Sequence, residues 1–335
     1  MAVQKLVVHP DLAARVADQG SARSADKTGY GNNWVIAAII VRLPFLDRPT
    51  ALPVLAKLVV KGTNSKSRLW LAARMAHMIA DAFAGRQTGV VADSAYAGAE
   101  LNKLPAQITW TTRLRKDAAL CALPPQRTGK PGRPRAKGDR LPSLDKLAGT
   151  ATWQTVTATR YRTAAVTQAA VITCLWYSVF GTRQVQVVLI RDRSATGYDL
   201  ALVTTDPNAT AAQVIERYAS RWRIEVAIED AKQVYGTGQA RNRTACAVER
   251  TVPFMLACQA LATCWYATDG HDPADVTSRR ARSPWYTTKT QPSTADMAAK
   301  LRRVIIAARF RPSHPDQPTH EEIHLIRLAW ADLAA

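Results

Sequence analysis

The sequence lacks long hydrophobic runs and has few cysteines. Its longest apolar run, from Trp34 to Val41, has eight residues, whereas a membrane-spanning helix needs about 20, and no signal peptide opens the chain. The five cysteines include no C-x-x-C pair, which is typical of free thiols in a reducing compartment rather than of a disulfide framework. We therefore expect a soluble, intracellular protein.

Acidic residues are also scarce, since 26 Asp and Glu stand against 45 Lys and Arg, giving a net charge of +19 over 335 residues. Arginine outnumbers lysine 32 to 13, and the guanidinium group binds phosphate with two parallel hydrogen bonds. Nucleic acid is therefore the first partner to consider, although a general arginine bias would give the same charge. With 47% hydrophobic and 21% charged residues, the composition excludes wholesale disorder and coiled coil.

The first third of the chain is predicted to alternate strand, helix and strand. A run rich in β-branched residues at 34–43 and a short apolar segment at 88–93 predict strands, and residues 67–83 carry apolar side chains at helical spacing. This alternation predicts an α/β fold. Residues 107–206 read as short strands with a basic loop at 124–140, and helices are expected near 210–235 and 245–267.

Two capping boxes predict where the last helices begin. Ser293 is followed three residues later by Asp296, and Thr319 by Glu322. In this pattern the hydroxyl and the carboxylate each accept a hydrogen bond from a backbone N–H of the first turn.

The clearest functional pattern is a polar stripe in the predicted helix at 210–235. At 100° per residue, Tyr218, Arg221, Glu225, Glu229 and Lys232 all fall on one narrow face. The row suits the border of a cleft, whereas the alternative is a surface helix with an Arg221–Glu225 ion pair. Two like charges four residues apart favour the first interpretation, because they repel unless a cation lies between them.

Asp93 is the second candidate, because it ends the apolar strand at 88–93. Open α/β sheets bind ligands at the carboxyl ends of their strands, although Asp93 could instead cap a helix beginning at Ser94. Asp93 and Glu225 together suit a hard divalent cation, which prefers oxygen ligands. Three carboxylates holding two such ions can activate water and stabilise the leaving oxygen in phosphodiester cleavage.

These residues resemble the DDE insertion-sequence transposases. The spacing of Tyr218, Arg221, Glu225 and Lys232 matches the Tyr-Arg-Glu-Lys signature of that family, and the segment at 90–96 (VVADSAY) is similar to its second-Asp motif. The resemblance implies a ribonuclease H-like mixed sheet with helices, interrupted by a β-rich insertion and followed by a helical C-terminal part. It further implies that Asp93 and Glu225 bind Mg²⁺, for which Mn²⁺ can substitute. Tyr218, Arg221 and Lys232 would contact the DNA.

The resemblance also implies a division of the chain. Residues 29–106 and 207–270 would form the two parts of the catalytic domain, residues 107–206 the insertion, and residues 271–335 a basic segment with C-terminal helices. Residues 1–28 are expected to be an irregular start. The first catalytic Asp of the family lies before the strand at 34–43, where this sequence has no matching motif. The chain therefore resembles an N-terminally truncated copy, in which Asp11 is the one candidate to replace that Asp.

The implied activity is metal-dependent cleavage and joining of DNA ends in DNA transposition. The partners would be transposon ends and target DNA, with a homodimer in the synaptic complex, and the location would be the cytoplasm in association with the nucleoid. The alternative from another class is a catalytically inactive remnant that only binds DNA.

Three weaker patterns complete the candidates. Residues 131–135 (PGRPR) resemble an AT-hook core, so Arg133 and Arg135 could contact DNA, or the segment is a plain basic loop. Trp222, flanked by two arginines, could stack on a base, whereas most other tryptophans lie in apolar stretches typical of a core. His320–His324 matches the zinc motif H-E-x-x-H, with a capped terminal helix as the alternative.

Overall fold

A computed structural model describes residues 4–10, 32–59, 67–126, 133–160, 163–192, 196–309 and 319–331. The chain divides into two compact units. Met1–Arg42 and Asp47–Ile228 form the first, and Leu43–Leu46 and Glu229–Ala335 form the second. We refer to them as the α/β unit and the helical unit. Within the described ranges, no helix combines the length and the apolar composition of a membrane span.

One mixed sheet organises the α/β unit. Its strands are β1 (Gln4–Pro10), β2 (Trp34–Val41), β3 (Thr50–Leu58), β4 (Thr88–Ala92), β5 (Ile108–Arg113), β6 (Gln154–Arg160), β7 (Thr163–Leu175), β8 (Gln184–Arg191) and β9 (Leu200–Thr204). They lie in the order β3-β2-β1-β4-β5-β9-β8-β7-β6. Strands β1, β4 and β5 are parallel to one another, and the other neighbouring strands are antiparallel.

Helices account for the remaining regular structure of the described residues. They are α1 (Arg68–Ala82), α2 (Leu144–Thr150), α3 (Tyr177–Phe180), α4 (Ala211–Ser220), α5 (Trp222–Tyr235), α6 (Ala245–Trp265), α7 (Ala274–Arg282), α8 (Thr294–Arg309) and α9 (His320–Ala331), with a 3-10 helix at Ala99–Lys103 and a π-helical turn at Tyr266–Gly270. A mixed sheet with helices, extended by a β-rich region and followed by helices, confirms the predicted fold class.

In strands β2, β4, β5, β8 and β9, most side chains on both faces of the sheet are buried, which explains the continuous apolar runs of the sequence. In β8, Val187 and Leu189 pack into the core shared with α1, whereas Val188 and Ile190 pack into the core beneath α4. The strands predicted at 34–43 and 88–93 are confirmed as β2 and β4, and the helix predicted at 67–83 as α1. Every residue of β4 is buried.

Strand β5 belongs to the central sheet, although the sequence places it in the insertion expected at 107–206. It is hydrogen-bonded to β4 in parallel, with Ala92 opposite Thr112. The antiparallel strands β6 to β9 follow it along the chain and extend the same sheet through β9. A β-rich composition could not separate the two groups, because they differ in pairing direction and not in residue type.

Strand β1 lies within the stretch expected to be an irregular start, residues 1–28. It pairs with β2 in antiparallel and with β4 in parallel. The apolar run at its centre has only three residues, Leu6, Val7 and Val8. A run so short is a weak local signal, and the strand forms through its pairing with two neighbours.

The helical unit begins with α5 residues beyond Ile228 and contains α6 to α9. Phe45, from the short loop assigned to this unit, stacks on His271 with ring centroids 4.4 Å apart and contacts the edge of Tyr266. Both predicted capping boxes are present. The backbone N–H of Ser293 donates to Asp296 and that of Thr319 to Glu322, each at 2.7 Å, immediately before α8 and α9.

Candidate active site

Asp93 lies directly after β4, at the edge of the sheet where the parallel strands end. Its Oδ1 accepts hydrogen bonds from the Ser94 backbone N–H at 2.6 Å and from the Ser94 hydroxyl at 3.3 Å. The chain then turns, since the Tyr96 N–H donates to the Asp93 carbonyl, and the next helical residues begin only at Ala99. Asp93 therefore stabilises a turn, and the alternative of a helix cap is wrong.

The other carboxylate oxygen of Asp93 faces no hydrogen-bond donor among the residues that the structure describes. The side chain is half-buried. A half-buried carboxylate with one oxygen fixed by a turn and the other available has the chemistry of a ligand for a hard cation.

Strand β1 ends at the same edge as Asp93, because it runs parallel to β4 with Val8 opposite Ala92. The substitute nominated from the sequence, Asp11, follows Pro10 but lies outside the described residues. Within the described part of the chain, no three Asp, Glu, His or Cys side chains come together as a metal site. Asp93 and Glu225 are therefore the two candidate carboxylates among the described residues, and their role as metal ligands stays a prediction.

Glu225 lies in the first turn of α5 and is paired with Arg221. The Arg221 Nη1 and Glu225 Oε1 atoms are 2.9 Å apart, and the two side chains are only 14% and 18% exposed. The Arg221 guanidinium also lies 5.7 Å from the centre of the Tyr218 ring. Such burial does not fit the alternative of a freely solvated surface helix, in which an ion pair would contribute little.

A break at Arg221 interrupts the helix predicted at 210–235. The Arg221 N–H donates to the Tyr218 carbonyl, and the Ile224 N–H donates to the Arg221 carbonyl. These hydrogen bonds span three residues instead of four, which tightens the backbone into a turn between α4 and α5. The stripe calculated for one ideal helix therefore does not continue unchanged from Tyr218 to Lys232.

Tyr218 links the strand side of the site to the helix side. Burial raises the pKa of its phenol above the ordinary value, and the negative charge of Asp93 raises this pKa further, while Arg221 and Arg113 lower it. Such effects of one charge on another weaken with distance. Asp93, Arg113 and Arg221 therefore lie within electrostatic range of the Tyr218 phenol.

Arg113 is the site residue that sequence reasoning missed. It is the last residue of β5, exposed, and comes one residue after Thr112, the partner of Ala92 in β4. Arg113 and Asp93 thus each come directly after one member of a pair of residues that lie opposite each other in β5 and β4. The available signal was a cation at the end of a buried strand, but the pairing of β5 with β4 is needed to interpret it.

A buried ion pair fixes α4 on the sheet and thereby positions Tyr218. Arg217 Nη1 lies 2.5 Å from Asp206 Oδ2, with side chains 12% and 7% exposed. The Asp206 carboxylate also accepts the Asn208 N–H. The preceding residue of α4, Glu216, accepts the backbone N–H of Thr159 in β6 at 3.0 Å.

The remaining candidates lie outside this group. Trp222, at the start of α5, is 44% exposed, Lys232 is half-buried further along α5, and Glu229 is exposed and accepts a hydrogen bond from Gln233. Their roles stay predictions.

In the basic loop, residues 131–132 lie outside the described part of the chain. Arg133 is exposed, and Arg135 forms an exposed ion pair with Asp139 at 3.2 Å. His320 and His324 are exposed on α9, and no third ligand joins them within the described residues.

A model of the transposase DDE domain matches residues 22–259, well over half of the chain. The chain therefore belongs to the transposase DDE domain family. Members of this family generally depend on divalent metal ions, and transposases bind DNA.

A piggyBac transposase, determined by cryo-EM in a synaptic complex with hairpin DNA, is similar to this chain with a TM-score of 0.45 and 8% identity, over 98% of this chain and 56% of that one. The chain thus spans little more than half the length of that transposase. No curated protein gave a significant sequence match.

Proposed function

We propose that this chain is a DDE transposase that carries out metal-dependent DNA strand cleavage and strand transfer, with Asp93 and Glu225 as metal ligands. The observation that carries the proposal is the set of charges around Tyr218. Its phenol lies within electrostatic range of Asp93 and touches Arg221, which in turn holds Glu225. Family membership and this grouping of an acid, a phenol and two cations at one sheet edge support the same activity.

The donor set fits Mg²⁺, with Mn²⁺ as a substitute. Asp93 and Glu225 are half-buried carboxylates, and hard divalent cations prefer such oxygen ligands. Bound there, these ions supply the Lewis acidity that phosphodiester chemistry requires. Arg221 holds the Glu225 carboxylate in place before the cation binds.

The two arginines and the phenol of the site bind and orient the DNA. Arg113 and Arg221 offer guanidinium groups to phosphate oxygens. A phenol is protonated at neutral pH, and the raised pKa of Tyr218 keeps its hydroxyl a hydrogen-bond donor to more alkaline pH as well. Lys232, Trp222, Arg133 and Arg135 extend the DNA contact away from this group.

The segment after β1 provides the third carboxylate in this proposal. Strand β1 ends at the edge that carries Asp93, and Asp11 comes one residue after Pro10. The substrates are transposon ends and target DNA. Two copies act together in a synaptic complex, in association with the nucleoid in the cytoplasm.

The test is nicking of supercoiled plasmid by the purified chain with Mg²⁺ or Mn²⁺. Glu225→Gln and Asp93→Asn should each lower the nicking rate by more than about a hundredfold, because removing a metal ligand is costlier than removing a residue that only supports one. Glu229→Gln is the matched control. It removes the same charge one turn along α5 from an exposed position, and it should nick at the wild-type rate.

DNA binding is measured for all four proteins without metal. Equal nicking by wild type and Glu225→Gln would overturn the assignment of the site. Tight DNA binding by a wild-type chain that nicks under neither metal would favour the alternative, a remnant that only binds DNA.

A further inference from the structure

The helical unit carries a group of arginines that the site around Asp93 does not include. Arg279, Arg280 and Arg282 lie in the last turn of α7, and Arg303 lies on α8. We call these four residues the arginine cluster. Two ion pairs link the helices, because Lys300 of α8 pairs with Asp275 of α7 and Arg279 of α7 pairs with Asp296 of α8.

The acid nearest the start of α7 is already neutralised. Lys300 Nζ lies 2.7 Å from Asp275 Oδ2, and the Tyr266 hydroxyl donates to the same oxygen at 2.7 Å. Burial raises the pKa of Asp275, but the hydrogen bonds from Lys300 and Tyr266 outweigh it and hold the pKa below its ordinary value. Asp275 is therefore ionised, and its charge is compensated by these partners.

The charge of Asp296 is also compensated by its neighbours. It pairs with Lys289 at 2.6 Å and with Arg279 at 3.5 Å, and it accepts hydrogen bonds from the N–H and hydroxyl of Ser293. Burial raises its pKa, and these contacts lower it to below the ordinary value. One carboxylate thus serves two cations and a helix cap.

Arg303 lies within electrostatic range of two other arginines of the cluster. Burial lowers the pKa of Arg303, and the nearby charges of Arg282 and Arg279 lower it further, whereas Asp275 and Asp296 oppose the change. Among the described residues, neither Arg282 nor Arg303 forms an ion pair with a carboxylate. The cluster therefore holds more positive charge than its own acids balance.

The dipole of α7 explains only part of this arrangement. Cations in a last helical turn gain a favourable interaction with the helix C-terminus, and Arg282 Nε donates to the Ser278 carbonyl at 3.2 Å. Arg303 gains nothing from this effect, because it lies inside α8. The charge of Arg282 disfavours the cationic form of Arg303, and a bound anion would offset this effect.

An exposed aromatic pair follows α7 directly. The side chain of Trp285 is 72% exposed and that of Tyr286 is 48% exposed, with ring centroids 6.1 Å apart. Lys289 lies 5.9 Å from the Tyr286 ring centre. Arginines beside exposed aromatic rings form the surface that binds a nucleic acid backbone and stacks its unpaired bases.

We propose that the arginine cluster binds the DNA phosphate backbone as a second contact surface, and that Trp285 stacks on an unpaired base beside it. The proposal rests on the proposed function for the choice of DNA as partner. It adds a sequence-independent contact in the helical unit to the residues around Asp93. The alternative anionic partner, a lipid surface, is an outcome of the test.

The test measures binding of the full chain to a 30-bp duplex of arbitrary sequence, without divalent metal, over a range of KCl concentrations. For Arg280→Gln/Arg282→Gln, the slope of log K against log salt should become less negative by about 0.9 for each phosphate that the variant no longer neutralises. Affinity at 0.1 M salt should fall roughly tenfold for each such phosphate. Arg280→Lys/Arg282→Lys keeps the charge and should keep most of the slope.

The matched control is Arg86→Gln/Lys103→Gln. It removes two exposed cations that come shortly before β4 and β5, at the ends opposite Asp93 and Arg113, and it should leave the slope unchanged. Trp285→Ala should weaken binding of single-stranded DNA about tenfold without changing the slope, whereas Trp285→Phe should retain binding.

Three results would overturn the proposal. The first is a wild-type slope in Arg280→Gln/Arg282→Gln, and the second is an equal decrease of the slope in the control. The third is that Arg280→Gln/Arg282→Gln binds phosphatidylserine vesicles more weakly than the wild type while its DNA binding is unchanged. That result would assign the cluster to a lipid surface. Metal-dependent nicking that depends on Glu225 would leave the proposed function standing in each case. A wild-type chain that binds no DNA would overturn both.

Discussion

The site around Asp93 and the arginine cluster differ in how far their charges are balanced by opposite charges. At and beside the site in the α/β unit, the ion pairs Asp206–Arg217 and Arg221–Glu225 are largely buried. At the arginine cluster, two acids, Asp275 and Asp296, face a larger number of cations, and the charge of Arg282 lowers the pKa of Arg303. The difference indicates that the first region is built to hold side chains in fixed positions and the second to attract an anion.

The energetic consequences differ accordingly. Removing one partner of a buried ion pair leaves an uncompensated charge, which is strongly destabilising. Removing one of several like charges near a surface relieves repulsion, and salt screens that effect. Mutations in the two regions should therefore change stability with opposite signs.

The largest stability effect is expected for Asp206→Asn. Arg217 would be left buried without its carboxylate, so the free energy of unfolding should fall by about 3–5 kcal/mol in urea denaturation. Asp139→Asn, which breaks the exposed Arg135–Asp139 pair, is the control and should cost less than about 1 kcal/mol. Similar decreases in the two variants would show that burial does not distinguish the pairs.

Alkaline pH should destabilise the helical unit through its buried phenols. Burial raises the pKa of Tyr235 to about 12, and burial together with Asp275 raises that of Tyr266 well above the ordinary value. The unfolded chain releases these protons near pH 10 and the folded chain does not. Stability is therefore complete below pH 10 and falls as the pH rises from there, by at most about 1.4 kcal/mol per pH unit for each phenol.

The check is urea denaturation between pH 9 and 12. Tyr266→Phe should make the decline with pH shallower than in the wild type, because one of the two groups no longer titrates. An identical decline would contradict the assignment of the effect to Tyr266.

The smallest effect, and the sharpest contrast, is expected for Arg303→Gln. Removal of a repelled cation should raise the free energy of unfolding by about 0.5 kcal/mol at low salt and leave it unchanged in 0.5 M salt. The same variant should bind DNA more weakly. A gain in stability with weaker binding is the behaviour of a functional site. Destabilisation at low salt would mean that Arg303 is a structural residue.

Local patterns predicted much of the fold. Strands β2 and β4, helix α1 and the caps of α8 and α9 all carry complete signals within a short segment, either apolar periodicity or a pair of residues three apart. The Tyr-Arg-Glu-Lys spacing and the residue after β4 likewise directed attention to Tyr218, Glu225 and Asp93.

Features that depend on pairing between distant segments were not predictable in this way. Strand β1 has a three-residue apolar run and forms between β2 and β4, and Arg113 enters the site only because β5 pairs with β4. The break at Arg221 has no glycine or proline to mark it. The effect of Arg282 on Arg303 depends on the ion pairs that link α7 to α8.

The central claim, that Asp93 and Glu225 hold the catalytic metal, is tested most directly by Fe²⁺-mediated cleavage of the protein backbone. With Fe²⁺ in place of Mg²⁺, ascorbate and peroxide generate radicals at the bound ion, and mass spectrometry locates the cuts. We expect cuts beside Asp93 and Glu225 that disappear in Asp93→Asn, and an additional cut beside Asp11 if it is the third ligand. Cuts that persist in Asp93→Asn, or that fall only near His320 and His324, would contradict the account.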